Sequence, residues 1–292
     1  MKYLPPFNYV VPRSVEELHR FMEDHGEKSR ILAGGTDLLL SLEEDRDPPA
    51  FVVDITRIAE LSRLSDEGDS IFIGAAATHT AVAENELVRR EAFFLSEAAG
   101  SVGSAQIRNT GTIGGNIVNA SPAADTLPPL VALDAEALIL GREGQRRTPL
   151  VRLFAGPYKT VLPQQEILCG VRFQKLPSGT GTCFLKLGRR RALSISRISV
   201  AAALVLGRDG RIREARICPG AVMPVPSRIL PAEESLLGRC PGRELFAEAG
   251  ERAAREIAGI TGRRPSTPYK EPVVKNLVQR ALTIAAERCL KG

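Results

Sequence analysis

The sequence predicts an α+β protein of two domains, and three observations carry that reading. A chain of 292 residues is about two domains long. Short β-branched runs alternate with helical apolar patterns in the first half, whereas the second half sets its strands first and two long helices last. Between them Pro177-Ser178-Gly179-Thr180-Gly181 is a turn-rich break, which divides the chain into 1–176 and 177–292.

The elements follow in order. Ser14-Val15-Glu16-Glu17 is a capping box, Val15, Leu18, Phe21 and Met22 make one apolar face, and Gly26 closes the helix. Ile31, Leu32 and Ala33 form a short buried strand running into Gly34 and Gly35. Residues 51–55 and 71–74 are β-branched and aromatic enough for two more strands, and 78–100 turn helical. Residues 101–130 are rich in Ser, Gly, Asn, Thr and Pro but carry too little charge for a disordered linker, which predicts an ordered functional loop. Strand periodicity returns at 137–140 and in the alternation of Ile167, Cys169, Val171 and Phe173. Past the break come a strand at 184–187 and a hairpin of 200–206 and 212–218 around Asp209-Gly210. An amphipathic helix through Leu245, Phe246, Ala249, Ala253 and Ile257 follows, then a last helix starting at Pro272.

Composition excludes several classes of function. No apolar run approaches the ~18–20 residues of a membrane span. Pro5 and Pro6 stand where a signal peptide needs an apolar helix, so a cytoplasmic protein is expected. The five cysteines are an odd number with no C-x-x-C pair, and the three histidines lack metal-ligand spacing, so no metal site is expected on this chain. Free, mostly buried thiols are expected instead. Zero tryptophan and 5% aromatics argue against a base-stacking nucleic-acid surface. The net charge of +5 is spread out except at Arg189-Arg190-Arg191. That run, with Arg197, reads equally as a solvated loop or as a face for an acidic partner or a nicotinamide dinucleotide, and Arg108 as a phosphate neutraliser or a structural pair.

Two Gly-Gly loops stand out: Ala33-Gly34-Gly35-Thr36-Asp37 and Thr112-Ile113-Gly114-Gly115-Asn116. Glycine admits positive φ and close backbone approach, and successive N–H groups in such a turn can cradle an anion. Alone, either loop reads more readily as a tight turn with no ligand. Together, and followed by Ser121-Pro122-Ala123-Ala124-Asp125, they suit a diphosphate clamped between two nests. Asp125 would repel phosphate, so its partner is a donor such as a ribose hydroxyl or a ring N–H. No G-x-G-x-x-G or P-loop fingerprint occurs. The residues by themselves indicate a dinucleotide cofactor.

The segments ILAGGTDL and TIGGNIVNASPAAD, with Gln106-Ile107-Arg108-Asn109, Tyr158-Lys159-Thr160, Phe184-Leu185-Lys186 and Tyr269-Lys270 in order, resemble the FAD-binding medium subunit of the molybdenum hydroxylases. The likeness covers nearly the whole chain. It implies a two-part FAD-binding domain of the vanillyl-alcohol-oxidase-like (PCMH) type, then a smaller α+β domain of antiparallel strands and helices. It also implies cofactor contacts from Ile31, Leu32, Ala33, Gly34, Gly35, Thr36, Asp37 and Leu38, and from Thr112, Ile113, Gly114, Gly115 and Asn116. Ser121, Asp125, Leu168 and Lys186 match further positions bordering the cofactor, and a lysine there would stabilise negative charge on a reduced flavin. Neither loop holds a histidine, so FAD is expected to be non-covalent, and His79 reads as a surface or helix-start residue.

The function implied is an oxidoreductase subunit that carries electrons. A molybdenum-cofactor large subunit oxidises substrate, a small subunit with two [2Fe-2S] clusters relays electrons, and this chain's FAD delivers them to NAD+ or another acceptor. Xanthine or another purine is the substrate the resemblance prefers. No catalytic side chain is assigned on this chain. The alternatives are a stand-alone FAD-dependent oxidase and a non-catalytic flavin-binding assembly module.

Overall fold

The computed structural model describes residues 4–190 and 193–290. Residues 1–3, at the N-terminus read above for targeting, and Arg191 of the arginine run lie outside the described residues.

Helix Val15–His25 starts at its capping box. Ser14 Oγ accepts from the Glu17 N–H at 3.1 Å, while Glu17 Oε2 accepts from the Arg13 N–H at 2.8 Å, one residue beyond the expected amide. Leu18 and Met22 are fully buried. Gly26 ends the helix in right-handed conformation and leads into a 3-10 turn, Gly26–Lys28. The helix packs on a parallel sheet with Phe51–Asp54 between Asn8–Val10 and Ser29–Leu32. Ile31, Leu32 and Ala33 are half-buried rather than buried as expected, because Ser29–Leu32 is an edge strand.

A five-stranded antiparallel sheet follows, ordered Leu64–Asp66, Ser70–Gly74, Ile167–Gln174, Glu136–Gly141, Gly144–Pro149. Its middle strand is buried continuously from Ile167 to Val171, so the alternation read from the sequence is covered on both faces. Three short helices, His79–Glu84, Glu86–Glu91 and Phe93–Gly100, make up the helical stretch before residue 101.

Residues 101–130 depart from the expected loop, since helices Ala105–Thr110, Ile113–Asn119 and Leu127–Ala132 occupy most of them. The composition that reads as loop is what starts these helices. Ser104 and Thr112 cap the first two, and Pro128 and Pro129 sit in the first turn of the third.

In the second half, Gly181–Leu187, Ile198–Leu206 and Ile212–Gly220 form an antiparallel sheet, with Gly210 at φ +73° in the hairpin turn. The middle strand shares its residues between two cores. Ala201 and Ala203 join the core of the first half, while Val200, Ala202 and Leu204 pack under helices Arg243–Thr261 and Thr267–Cys289. The last helix begins at Thr267, not Pro272. Pro268 takes the first-turn role, and Pro272 lies inside the helix, where it gives up the bond that an amide there would make to the Pro268 carbonyl. Among the described residues no helix is long and apolar enough to cross a membrane. All five cysteines are free thiols, with Cys169, Cys183 and Cys218 buried, Cys289 half-buried and Cys240 exposed.

Candidate functional site

A cavity of about 580 Å³ lies between the parallel sheet and the five-stranded sheet, a size typical of ligand and cofactor sites. Both glycine loops reach it, and they do so differently.

The first loop leaves edge strand Ser29–Leu32 and turns at Gly35, φ +70°, into helix Leu38–Leu42. Gly34 passes so close to the other loop that a Cβ would stand 2.1 Å from the Thr110 carbonyl oxygen. The backbone N–H groups of Gly34, Gly35, Thr36 and Asp37 have no acceptor among the described residues. Four adjacent free donors at a cavity wall suit an anion.

The second loop is not a nest. Thr112 is an N-cap, and Ile113, Gly114, Gly115 and Asn116 are the first turn of helix Ile113–Asn119. Their N–H groups are taken: Ile113 donates to the Ala77 carbonyl at 2.9 Å, Gly114 to the Ala75 carbonyl at 2.8 Å, Gly115 to Thr112 Oγ1 and Asn116 to the Thr112 carbonyl, both at 3.0 Å. Gly114 is required by packing, since a Cβ there would lie 2.5 Å from Ala75 Cβ. A Cβ on Gly115 would meet only Thr112 Oγ1, at 3.1 Å. This loop forms a wall.

Ile31, Ala33, Gly34, Gly35, Thr36, Asp37, Leu38, Thr112, Gly114, Gly115, Asn116 and Leu168 all line the cavity. Leu168 lies at a bulge of strand Ile167–Gln174, a device that re-aims side chains. Leu32 and Ile113 do not line it, and Ile113 is fully buried in the core. Ser121 does not line it either, its Oγ donating instead to the hydroxyl of the lining residue Tyr158 at 3.4 Å.

Lys186 lines a second cavity of about 770 Å³, with Ser101, Arg108, Arg189 and Arg190. The segment from Val102 to Arg108 contributes to both cavities. Instead of a free cation, Lys186 is half of an ion pair. Its Nζ donates to Asp125 Oδ2 at 2.5 Å and to the Ser101 carbonyl at 2.9 Å, and Ser196 Oγ donates to Asp125 Oδ1 at 2.5 Å. The donor expected for Asp125 is thus supplied by the protein. Burial pushes the Asp125 carboxyl up, against the opposing pull of Lys186 and Ser196. Arg108 is tied to the Val102 and Gly103 carbonyls at 3.1 and 3.4 Å, a structural pairing. Arg190 donates to the Leu193 carbonyl, and Arg197 stacks over Tyr269 at 5.1 Å.

His79, Tyr158, Lys159 and Arg30 line the first cavity and were not assigned to the site from the sequence. Tyr158 had a signal in the Tyr158-Lys159-Thr160 match, but not its left-handed φ of +57°. His79 does start a helix, after the capping Thr78, but it is buried at 3% exposure rather than at the surface. Burial, with Arg108 nearby, lowers its pKa to about 4.

Free donors beside an apolar wall of Ile31, Ala33, Leu38, Ile107 and Leu168 fit a group that is part diphosphate and part ring, which agrees with FAD. Comparison with known proteins points the same way. Residues 5–175 match the family described as the FAD binding domain in molybdopterin dehydrogenase, and residues 184–285 match the CO dehydrogenase flavoprotein C-terminal domain. The chain is 30% identical to the carbon monoxide dehydrogenase medium chain of Hydrogenophaga pseudoflava, over 98% of this chain and 99% of that one. It is 31% identical to the xanthine dehydrogenase FAD-binding subunit of Escherichia coli O157:H7, over 88% and 89%. The solved structure of the Hydrogenophaga pseudoflava carbon monoxide dehydrogenase, in a form lacking the Mo-pyranopterin moiety, superposes with a TM-score of 0.90 over 98% of this chain and 99% of that one, at 30% identity. The chain therefore belongs to the FAD-binding subunits of the molybdenum hydroxylase family, a family of oxidoreductases.

Proposed function

We propose that this chain holds FAD non-covalently in the cavity between the two glycine loops and serves as the electron-transfer subunit of a molybdenum hydroxylase. Bound FAD would supply the redox chemistry, accepting electrons and passing them on. The protein's part is binding and placement. The free N–H groups at 34–37 face the diphosphate, the Thr112-capped helix turn and Leu168 form the opposite wall, and the Asp125–Lys186 pair borders the adjoining cavity. The observation that carries this reading is the set of four unpartnered N–H groups on the wall of a cofactor-sized cavity.

The partners follow from the kinship: a molybdenum-cofactor large subunit and a small subunit with two [2Fe-2S] clusters, with NAD+ or another acceptor taking the electrons. Residues 1–176 form the FAD-binding domain and 177–292 the C-terminal domain. Relatives named for carbon monoxide and for xanthine are almost equally similar, at 30% and 31% identity, which fits a substrate choice made on the large subunit. A purine is the substrate class we favour. The test is reconstitution. The lone chain should carry FAD that dithionite reduces and acid precipitation releases, without oxidising a purine, and turnover should return when both partner subunits are added. Turnover of substrate by the lone chain would replace this reading with a stand-alone oxidase.

A further inference from the structure

His79 is the cavity-wall residue whose chemistry this function leaves unused. Neither nitrogen of its buried ring has a hydrogen-bond partner among the described residues, and Nδ1 is sealed from solvent. A neutral imidazole carries one N–H and one bare nitrogen, and buried polar atoms are rarely left unmatched. The ring stands where the two loops meet. A Cβ built on Gly111 would lie 3.3 Å from His79 Cδ2 and 3.6 Å from Thr36 Oγ1. Thr36 belongs to the 34–37 turn with its four free N–H groups. The backbone fixes this placement, with the His79 N–H donating to the Gly111 carbonyl at 3.0 Å and Thr78 Oγ1 capping the helix that His79 opens. Burial and the nearby Arg108 keep the ring uncharged at neutral pH in the FAD-free chain, where it is a hydrogen-bonding group.

We propose that His79 binds the cofactor, its imidazole N–H donating to a diphosphate oxygen of FAD seated at the 34–37 turn. The assignment rests on the cavity being the FAD site. The nitrogen that meets the cofactor is Nε2, the one not sealed in the protein, and it adds a side-chain donor to a backbone nest, supplying from helix His79–Glu84 the donor that the second glycine loop, its amides consumed, does not.

The test uses the deflavinated full chain, titrated with FAD as wild type, His79→Phe and His79→Gln, with the melting temperature of each FAD-free chain and the ³¹P NMR spectrum of each FAD-saturated one. Loss of one hydrogen bond to a charged oxygen should weaken FAD binding about tenfold in His79→Phe. The FAD-free melting temperature should not fall, because an unmatched polar group has been removed. His79→Gln, which keeps an N–H donor, should recover most of the affinity, and at least one diphosphate resonance should move in His79→Phe. FAD affinity within twofold of wild type in His79→Phe, or unmoved phosphorus resonances, would overturn the proposal. So would a drop in FAD-free melting temperature that accounts for the weaker binding. Gly115→Val serves as the reference: if it keeps full FAD affinity, the cavity itself is not the site, which is a different failure from that of His79 alone.

Discussion

The two glycine loops have nearly the same sequence pattern and opposite physical roles. In the first, Gly35 takes a left-handed conformation and the amides at 34–37 are left free. In the second, the glycines are helical and every amide from Ile113 to Asn116 is consumed, by the carbonyls of Ala75, Ala77 and Thr112 and by the Thr112 hydroxyl. A Gly-Gly pair therefore says only that a side chain is unwelcome. Whether the reason is a backbone angle, a neighbouring segment or an open cavity depends on what lies across from it, and Gly35, Gly114 and Gly115 show one of each.

Substitutions can separate these roles. The largest effect is expected at Gly114, whose added side chain would press into Ala75 Cβ and the Ala75 carbonyl at 2.5 and 2.6 Å. Gly114→Val should cost about 3 kcal/mol of FAD-free stability through overpacking, read from urea denaturation. A variant as stable as wild type would show that helix Ile113–Asn119 is free to move away from the strand end.

His79, at the seam of the two loops, should make stability depend on pH. Its folded pKa of about 4 lies below the ordinary 6.5, so between those values the unfolded chain binds a proton that the folded chain does not. This contribution is complete above about pH 6.5 and declines as pH falls toward 4, by about 3 kcal/mol in all. The urea stability of wild type minus that of His79→Gln, followed across that window, should fall on acidification. A flat difference would mean that the ring is solvated.

At Gly35 the strain is in the backbone. The nearest atoms to an added Cβ are the flexible ends of Leu32 and Leu39, at 3.1 and 3.3 Å, so Gly35→Ala should lose about 1 kcal/mol from its positive φ. Chemical denaturation reads this directly, and a neutral result would place the turn in another conformation. The smallest stability effect belongs to Gly115. Helix propensity favours alanine there, and Gly115→Ala should stay within about 1 kcal/mol of wild type.

Local signals were legible in the sequence. The Ser14 cap, the hairpin turn at Gly210 and the apolar face of Leu18 and Met22 all act within a few residues of themselves, and all appear as expected, with Glu17 reaching back one amide further than a capping box does. Features set by distant contacts were not. Residues 113–116 open a helix whose Ile113 and Gly114 amides are received by the distant carbonyls of Ala77 and Ala75. Asp125 found its donor in Lys186, 61 positions away. The start at Thr267 was hidden by Pro272, although Pro268 was the better marker. The cavity-lining residues of the first loop were readable because that loop's own glycine conformation builds the turn, whereas His79 is packed by a distant segment, with Gly111 lying against its ring.

Gly115→Val offers the most direct measurement of the central claim, because its Cβ meets little but Thr112 Oγ1 and the side chain would occupy the cavity instead of the core. FAD should be quantified per chain in purified, folded wild type and variant, with acid precipitation to separate bound from attached flavin. One acid-releasable FAD per wild-type chain and none in a well-folded Gly115→Val is the result expected. A folded Gly115→Val that keeps one FAD per chain, or flavin that stays in the acid pellet, would contradict it.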